Sequence, residues 1–174
     1  MQDAANRRAS GKQLALQQLT PDHWLKWRLL RLQALSEAPH AFGSKLADWQ
    51  GTGDSEERWR ERLSSVTFNL TAVLNDSPAG MVSATFPDRN GIVELISMWV
   101  TPSVRGCGVG DALIGSAIQW AERLHARCVS LDVIKGNEHA AAFYLRDGFT
   151  DVDELPRVSP EDESERRFIR NFAP

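Results

Sequence analysis

Cysteine is scarce: the 174 residues contain two, Cys107 and Cys128. Neither belongs to a CxxC pair and no two histidines stand at metal-ligand spacing, so a disulfide framework and a structural zinc site are both excluded. The expectation is a reduced, cytoplasmic chain without a metal. No apolar run reaches the ~18 residues of a membrane span. The opening Met1-Gln2-Asp3-Ala4-Ala5-Asn6-Arg7-Arg8 lacks the apolar stretch of a secretory signal. A strong charge of one sign is missing too: the net charge of −3 gives no electrostatic basis for binding nucleic acid or an anionic membrane. There is no internal repeat and no low-complexity linker, and tyrosine occurs once, as Tyr144.

What is present describes one ordinary globular domain. Hydrophobic residues make up 42% and charged residues 25%, and a chain this long buries roughly 70% of its unfolded surface. Residues 1–13 are polar and are expected to be a disordered tail, with the domain over 14–174. Leu14 to Leu19 reads as a short strand. Thr20 as N-cap and Pro21 at the first helical position then open a helix carrying Trp24, Trp27, Leu30 and Leu35, which Pro39 ends. A second helix is expected over Ser55–Leu63. Two β-rich runs, Thr67–Leu74 and Ala79–Phe86, flank the turn cluster Asn75-Asp76-Ser77-Pro78 and predict a hairpin. Ile92–Val100 is a further strand. A helix from about Gly108 to His125 carries the stripe Val109, Leu113, Ala117, Trp120 and Leu124. A strand with Val129, Leu131 and Val133, a short helix from Glu138 ending at Gly148, and strands near Phe149–Asp153 and Arg166–Phe172 complete the order. Helices, a hairpin, then strand–helix–strand predict an α/β chain with a mixed sheet, antiparallel early and with one parallel crossover.

The chemistry-bearing stretch is Val100-Thr101-Pro102-Ser103-Val104-Arg105-Gly106-Cys107-Gly108-Val109-Gly110-Asp111. A proline stops a strand, and a turn of alternating glycines opens a long amphipathic helix. Backbone N–H groups in such a turn converge at a helix N-terminus and suit an anion, with the helix dipole adding roughly 0.3–1 kcal/mol and Arg105 a positive charge. A diphosphate is the ligand this pattern suits. No Lys-Ser or Lys-Thr follows the glycines, so the Walker pattern is absent. The dinucleotide fingerprint fails as well, since its last glycine would fall on Asp111 or Leu113.

Arg-x-x-Gly-x-Gly after a strand resembles the coenzyme A pyrophosphate loop of the GNAT superfamily of N-acetyltransferases. Three further segments strengthen the resemblance: Glu94-Leu95-Ile96-Ser97-Met98-Trp99-Val100 before the loop, Asn137 after the next strand, and Ala142-Phe143-Tyr144-Leu145-Arg146-Asp147-Gly148-Phe149. It covers about residues 14–172 and implies a mixed, mostly antiparallel twisted sheet, helices on both faces and a splayed parallel pair at the centre. It further implies acetyl-coenzyme A as co-substrate, no metal, and direct transfer to an amine acceptor. Backbone groups of Met98 and Val100 would pair with the pantetheine arm, with Trp99 between them facing away. Arg105, Gly106, Cys107, Gly108, Val109 and Gly110 would hold the pyrophosphate, and Asn137 would hydrogen-bond the arm. Tyr144 resembles the proton donor to the departing thiolate.

Glu94 is the candidate general base. An amine with a pKa of ~10.4 is unprotonated about once per thousand molecules at pH 7, a handicap of about 4 kcal/mol. A carboxylate of pKa ~4.3 is about six units too acidic to remove that proton directly, so desolvation or a water relay is required. Strand alternation places Glu94 with Ile96, Met98 and Val100, opposite Leu95 and Trp99.

Plainer roles suit other residues. His23, His40, His125 and His139 read as surface positions, Cys107 as a spacer between glycines, and Trp24, Trp27, Trp49 and Trp59 as core, with Phe42 beside the acceptor site. The acidic stretch Glu154–Glu165 reads as a solvated loop able to steer a cationic acceptor. A rival to the enzyme is a non-catalytic module that holds an acyl-coenzyme A as sensor or structural ligand. Many relatives pair through their C-terminal strands, so a homodimer stays open.

Overall fold

The structure, a computed structural model, describes residues 13–152 and 164–173. The expected tail, apart from Gln13, and most of the acidic loop lie outside the described residues. Seven strands are described: β1 (Leu14–Gln18), β2 (Phe68–Leu74), β3 (Ser77–Ala84), β4 (Ile92–Val100), β5 (Cys128–Ile134), β6 (Thr150–Asp151) and β7 (Glu165–Asn171). The helices are α1 (Trp24–Glu37), α2 (Glu56–Ser65), α3 (Val109–Arg123) and α4 (Glu138–Arg146).

Local chemistry sets the boundaries. Pro21–His23 forms a 3-10 turn ahead of α1, in which His23 Nδ1 accepts from the Thr20 N–H at 3.1 Å. Ser55 caps α2 through a bond from the Arg58 N–H to its hydroxyl oxygen, and Asn137 caps α4 through one from the Ala140 N–H. The β2–β3 hairpin turns on two residues, Asn75 and Asp76, with φ of +50° and +62°. Both positive angles match the twist of the strands, so Ser77 and Pro78 join β3 rather than the wider turn that the sequence suggests.

The strands form one sheet in the order β1-β2-β3-β4-β5-β7-β6. Every neighbouring pair is antiparallel except β4 and β5, joined through α3. That parallel pair covers only Ile92–Glu94 against Cys128–Ser130, after which the strands part. Opposite β3, the register shifts between Met81, which faces Trp99, and Ser83, which faces Ile96. Two β4 residues, Ser97 and Met98, thus stand against Val82 alone: a β-bulge, with Ser97 at φ +57°.

Each face of the sheet has its own core. On one, Val109, Leu113, Ile114 and Ala117 of α3 pack on Leu70, Val82, Val93, Leu95 and Val129. On the other, Trp27 and Leu30 of α1 and Trp59 and Leu63 of α2 pack on Met81 and Trp99. The buried stripe of α3 runs Val109, Leu113, Ile114, Ala117, Ile118 and Ala121, with Trp120 only partly buried at its margin.

Candidate active site

The glycine turn connects the end of β4 to α3. Gly106 and Gly108 take φ of +76° and +82°, and a Cβ at either would meet nothing within 4 Å. The requirement for glycine there is conformational, and the space in front is open. The first α-helical bond runs from the Ala112 N–H to the Gly108 carbonyl. The N–H groups of Gly108, Val109, Gly110 and Asp111 therefore precede the ladder and are available to an anion. Cys107 is half-buried between the two glycines and packs against the α3 core.

Arg105, at the start of the turn, lines a cavity there and is paired with Glu37. Its Nη2 donates to Glu37 Oε2 at 3.0 Å and its Nε to the Val100 carbonyl at 3.1 Å. Glu37 Oε2 also accepts from Trp99 Nε1 at 2.8 Å. The turn is thus fastened to the end of α1, and much of its charge is shared with Glu37.

From the turn, a cavity of about 640 Å³ runs along β4 past Met98, Trp99 and Val100 to Asn137 and Tyr144. Met98 and Val100 pack toward α3 and the Trp99 ring toward α1. Asn137 Oδ1 is engaged in capping α4, at 3.2 Å from the Ala140 N, which leaves Nδ2 as the group that can donate into the cavity. Tyr144 is 7% exposed and sits among Phe143, Phe149 and Phe168. Burial, with a smaller push from Asp147, raises its phenol well above 10, so it keeps its proton across the neutral range.

A second cavity, of about 350 Å³, lies where β4 and β5 have parted. It shares Ala41, Met98, Asn137, Ala140 and Tyr144 with the first, so the two cavities adjoin along these residues. Glu94 is exposed and lines this cavity, as does Phe42. The sequence placed Glu94 on one face with Met98 and Val100. The bulge at Ser97 corrects that: Leu95 packs toward α3 and Trp99 toward α1, so the alternation inverts between them. Glu94 thus belongs to the face of Trp99.

Arg31 and Arg62, which the sequence reading passed over, also line the second cavity. Arg31 lies in the stripe Trp27, Leu30, Arg31, Ala34, Leu35 that α1 buries. An arginine at a core position of a helical repeat is the signal that would have found it. Glu37 carries no such mark, because its role depends on the end of α1 meeting the glycine turn. Among the described residues, no three His, Cys, Asp or Glu side chains gather as a metal site, and no helix is long and apolar enough to cross a membrane.

Comparison with known proteins follows the same outline. The chain is 34% identical over 85 residues to an uncharacterized N-acetyltransferase of Methanocaldococcus jannaschii, covering 46% of this chain and 38% of that one. It is 35% identical over 69 residues to the peptidyl-lysine N-acetyltransferase YjaB of Escherichia coli, covering 37% and 44%. Less than half the length of either relative is thus matched. The PaiA N-acetyltransferase of Thermoplasma acidophilum, solved with coenzyme A, shares the fold with a TM-score of 0.71 at 14% identity, over 92% of this chain and 99% of that one. The family model for the acetyltransferase (GNAT) family matches residues 27–149, and with this sheet, its parted central strands and its glycine turn, the chain belongs to that family.

Proposed function

We propose that the chain is an N-acyltransferase that carries the acetyl group of acetyl-coenzyme A directly onto a primary amine. One observation carries the reading: two cavities, one beginning at the glycine turn and one lined by Glu94, adjoin and share Met98, Asn137 and the single tyrosine, Tyr144, in their walls. A donor and an acceptor entering from opposite ends would face each other there.

The residues suit the donor. The free N–H groups of Gly108, Val109 and Gly110 would take its pyrophosphate, in the open space before Gly106 and Gly108. Past Glu94, the β5 side of β4 has no strand beside it among the described residues, and backbone groups of Met98 and Val100 would pair there with the pantetheine amides. Asn137 Nδ2 would donate to the arm. Acetyl-coenzyme A supplies an activated thioester; the protein supplies position and proton transfer. Tyr144, kept protonated by burial, would give its proton toward the departing sulfur. Glu94 is exposed, which leaves a water relay as its route to the amine proton. The reading carries with it a cytoplasmic protein, no metal and no covalent enzyme adduct.

The rival, a module that binds an acyl-coenzyme A and transfers nothing, leaves the second cavity unexplained. Isothermal titration with acetyl-coenzyme A on wild type and Gly108→Asp, followed by an amine screen with Tyr144→Phe as control, tests both readings. Wild-type binding lost in the variant, plus turnover dependent on Tyr144, is the expected result. Binding without turnover of any amine would favour the module, and no binding would sink both.

A further inference from the structure

The acceptor cavity contains two positive charges with no negative partner among the described residues. Arg31 is 7% exposed, and its Nη1 is buried without a hydrogen-bond partner. Its guanidinium lies over the Phe42 ring at 4.6 Å. Arg62 lines the same cavity and, among the described residues, donates only to neutral oxygens: Asn69 Oδ1 at 3.3 Å, Ser83 Oγ at 3.4 Å and Ser97 Oγ at 3.4 Å. Among the described residues, no carboxylate lies within 4.0 Å of either guanidinium. Of the cavity's own acids, Asp132 is paired with Arg167 at 2.7 Å, Glu165 begins β7, and Glu94 lies on β4.

Buried guanidinium groups ordinarily come with a counter-charge, because desolvating one without it is costly. Here burial lowers both arginines to about 10, with Arg62 repelling Arg31, yet both stay charged at neutral pH. A protein that only packed these side chains would gain by replacing Arg31 with an apolar residue of similar size. A ligand that brings a negative charge into the cavity gives them a purpose.

Building on the acetyltransferase reading above, we propose that the acceptor is a primary amine that also carries a carboxylate, an amino acid or small peptide, with the carboxylate on Arg31 and Arg62 and the amino group toward Glu94 and Tyr144. The planar donor fork of arginine matches a carboxylate in two-point contact. At about 350 Å³ the cavity is at the small end of ligand sites. A polyamine or polycationic antibiotic would meet repulsion from the two guanidinium groups.

The test is a matched-pair acceptor panel for the full chain: the α-amino acids and simple dipeptides, their C-terminal carboxamides, and polyamines, with coenzyme A thiol release as readout. For the best acceptor, kcat/KM should exceed that of its carboxamide by about 30-fold or more, the scale of one or two charge-assisted bonds. That ratio should fall to about threefold or less in Arg31→Met and in Arg62→Met, mostly through KM, and Arg31→Lys should restore part of it. The wild-type comparison stands even if a variant fails to fold. Carboxamides or polyamines used as well as the carboxylates would overturn the inference while leaving acetyl transfer intact. So would a ratio that survives both methionine variants, or wild-type protein that binds acetyl-coenzyme A and acetylates nothing in the panel. Absence of acetyl-coenzyme A binding would instead remove the acetyltransferase reading itself.

Discussion

Glu37 and Arg105 form an ion pair at 3.0 Å that ties the last residue of α1 to the turn ahead of α3, 68 positions along the chain. The same Glu37 oxygen accepts from the Trp99 indole, so one carboxylate positions the glycine turn, the end of β4 and the first helix together.

Glu37→Ala leaves the indole N–H of a nearly buried tryptophan without its acceptor and frees Arg105. A loss of about 1–2 kcal/mol in unfolding free energy is expected, together with a several-fold rise in KM for acetyl-coenzyme A. Urea titration and steady-state kinetics measure the two effects. An unchanged KM would show that the pair does not position the turn.

Gly80 lies on β3 opposite Val100, beneath Leu113 of α3. A Cβ there would come within 2.7 Å of the Trp99 carbonyl oxygen, 3.0 Å of Leu113 Cδ1 and 3.3 Å of Val100 Cα. Backbone has little room to yield, so Gly80→Ala should cost about 1–3 kcal/mol. Since the push falls on Trp99 and Val100, weaker acetyl-coenzyme A binding should accompany it. A wild-type denaturation midpoint in Gly80→Ala would contradict the packing described.

Tyr144 bears on both activity and stability. Tyr144→Phe should lower kcat by about 10²-fold or more with little change in KM, the scale of a general acid. Because burial raises the phenol above its ordinary 10.0, the wild-type rate should show no loss near pH 10 arising from this group. The sign for stability follows: a raised folded pKa leaves folding unaffected below pH 10 and destabilises the native state as pH climbs above it. An alkaline limb at pH 9–10 that disappears in Tyr144→Phe would refute the assignment.

Asp54 joins α1 and α2, the helices whose Arg31 and Arg62 line the smaller cavity. It pairs with Arg28 of α1 and accepts from Trp59 Nε1 of α2 at 2.8 Å. These bonds, Arg28's first, bring its carboxyl down from 3.8 to about 2. A depressed folded pKa gives stability that is present above about 3.8 and fades as pH falls toward 2. Asp54→Asn should therefore unfold at lower urea than wild type at pH 7, with the gap closing below pH 4. A gap independent of pH would mean that the contact does not act through charge.

The strands and helices from β4 to α4 were legible because their signals are local. Gly91 and Pro102 bracket β4, a 3.6-residue apolar repeat marks α3, and Gly148 marks the end of α4. Other features had no local mark. Ser97 takes a left-handed angle normally left to glycine and asparagine, so nothing in its neighbourhood announces the bulge. On α2, Arg62 looks like part of a solvated face, since Glu57, Arg58, Arg60 and Glu61 surround it in sequence.

Period and turn chemistry act over a few residues, so the sequence by itself determined the elements, the single parallel crossover and the glycine turn at a helix start. Contacts between distant segments were decided only when the elements packed. The parting of β4 from β5 after Glu94 opened a cavity, the bulge turned Glu94 toward α1, and α1 and α2 brought Arg31 and Arg62 into the space that resulted. Where a charged side chain ends up depends on what lies across from it, and that partner is encoded tens of residues away.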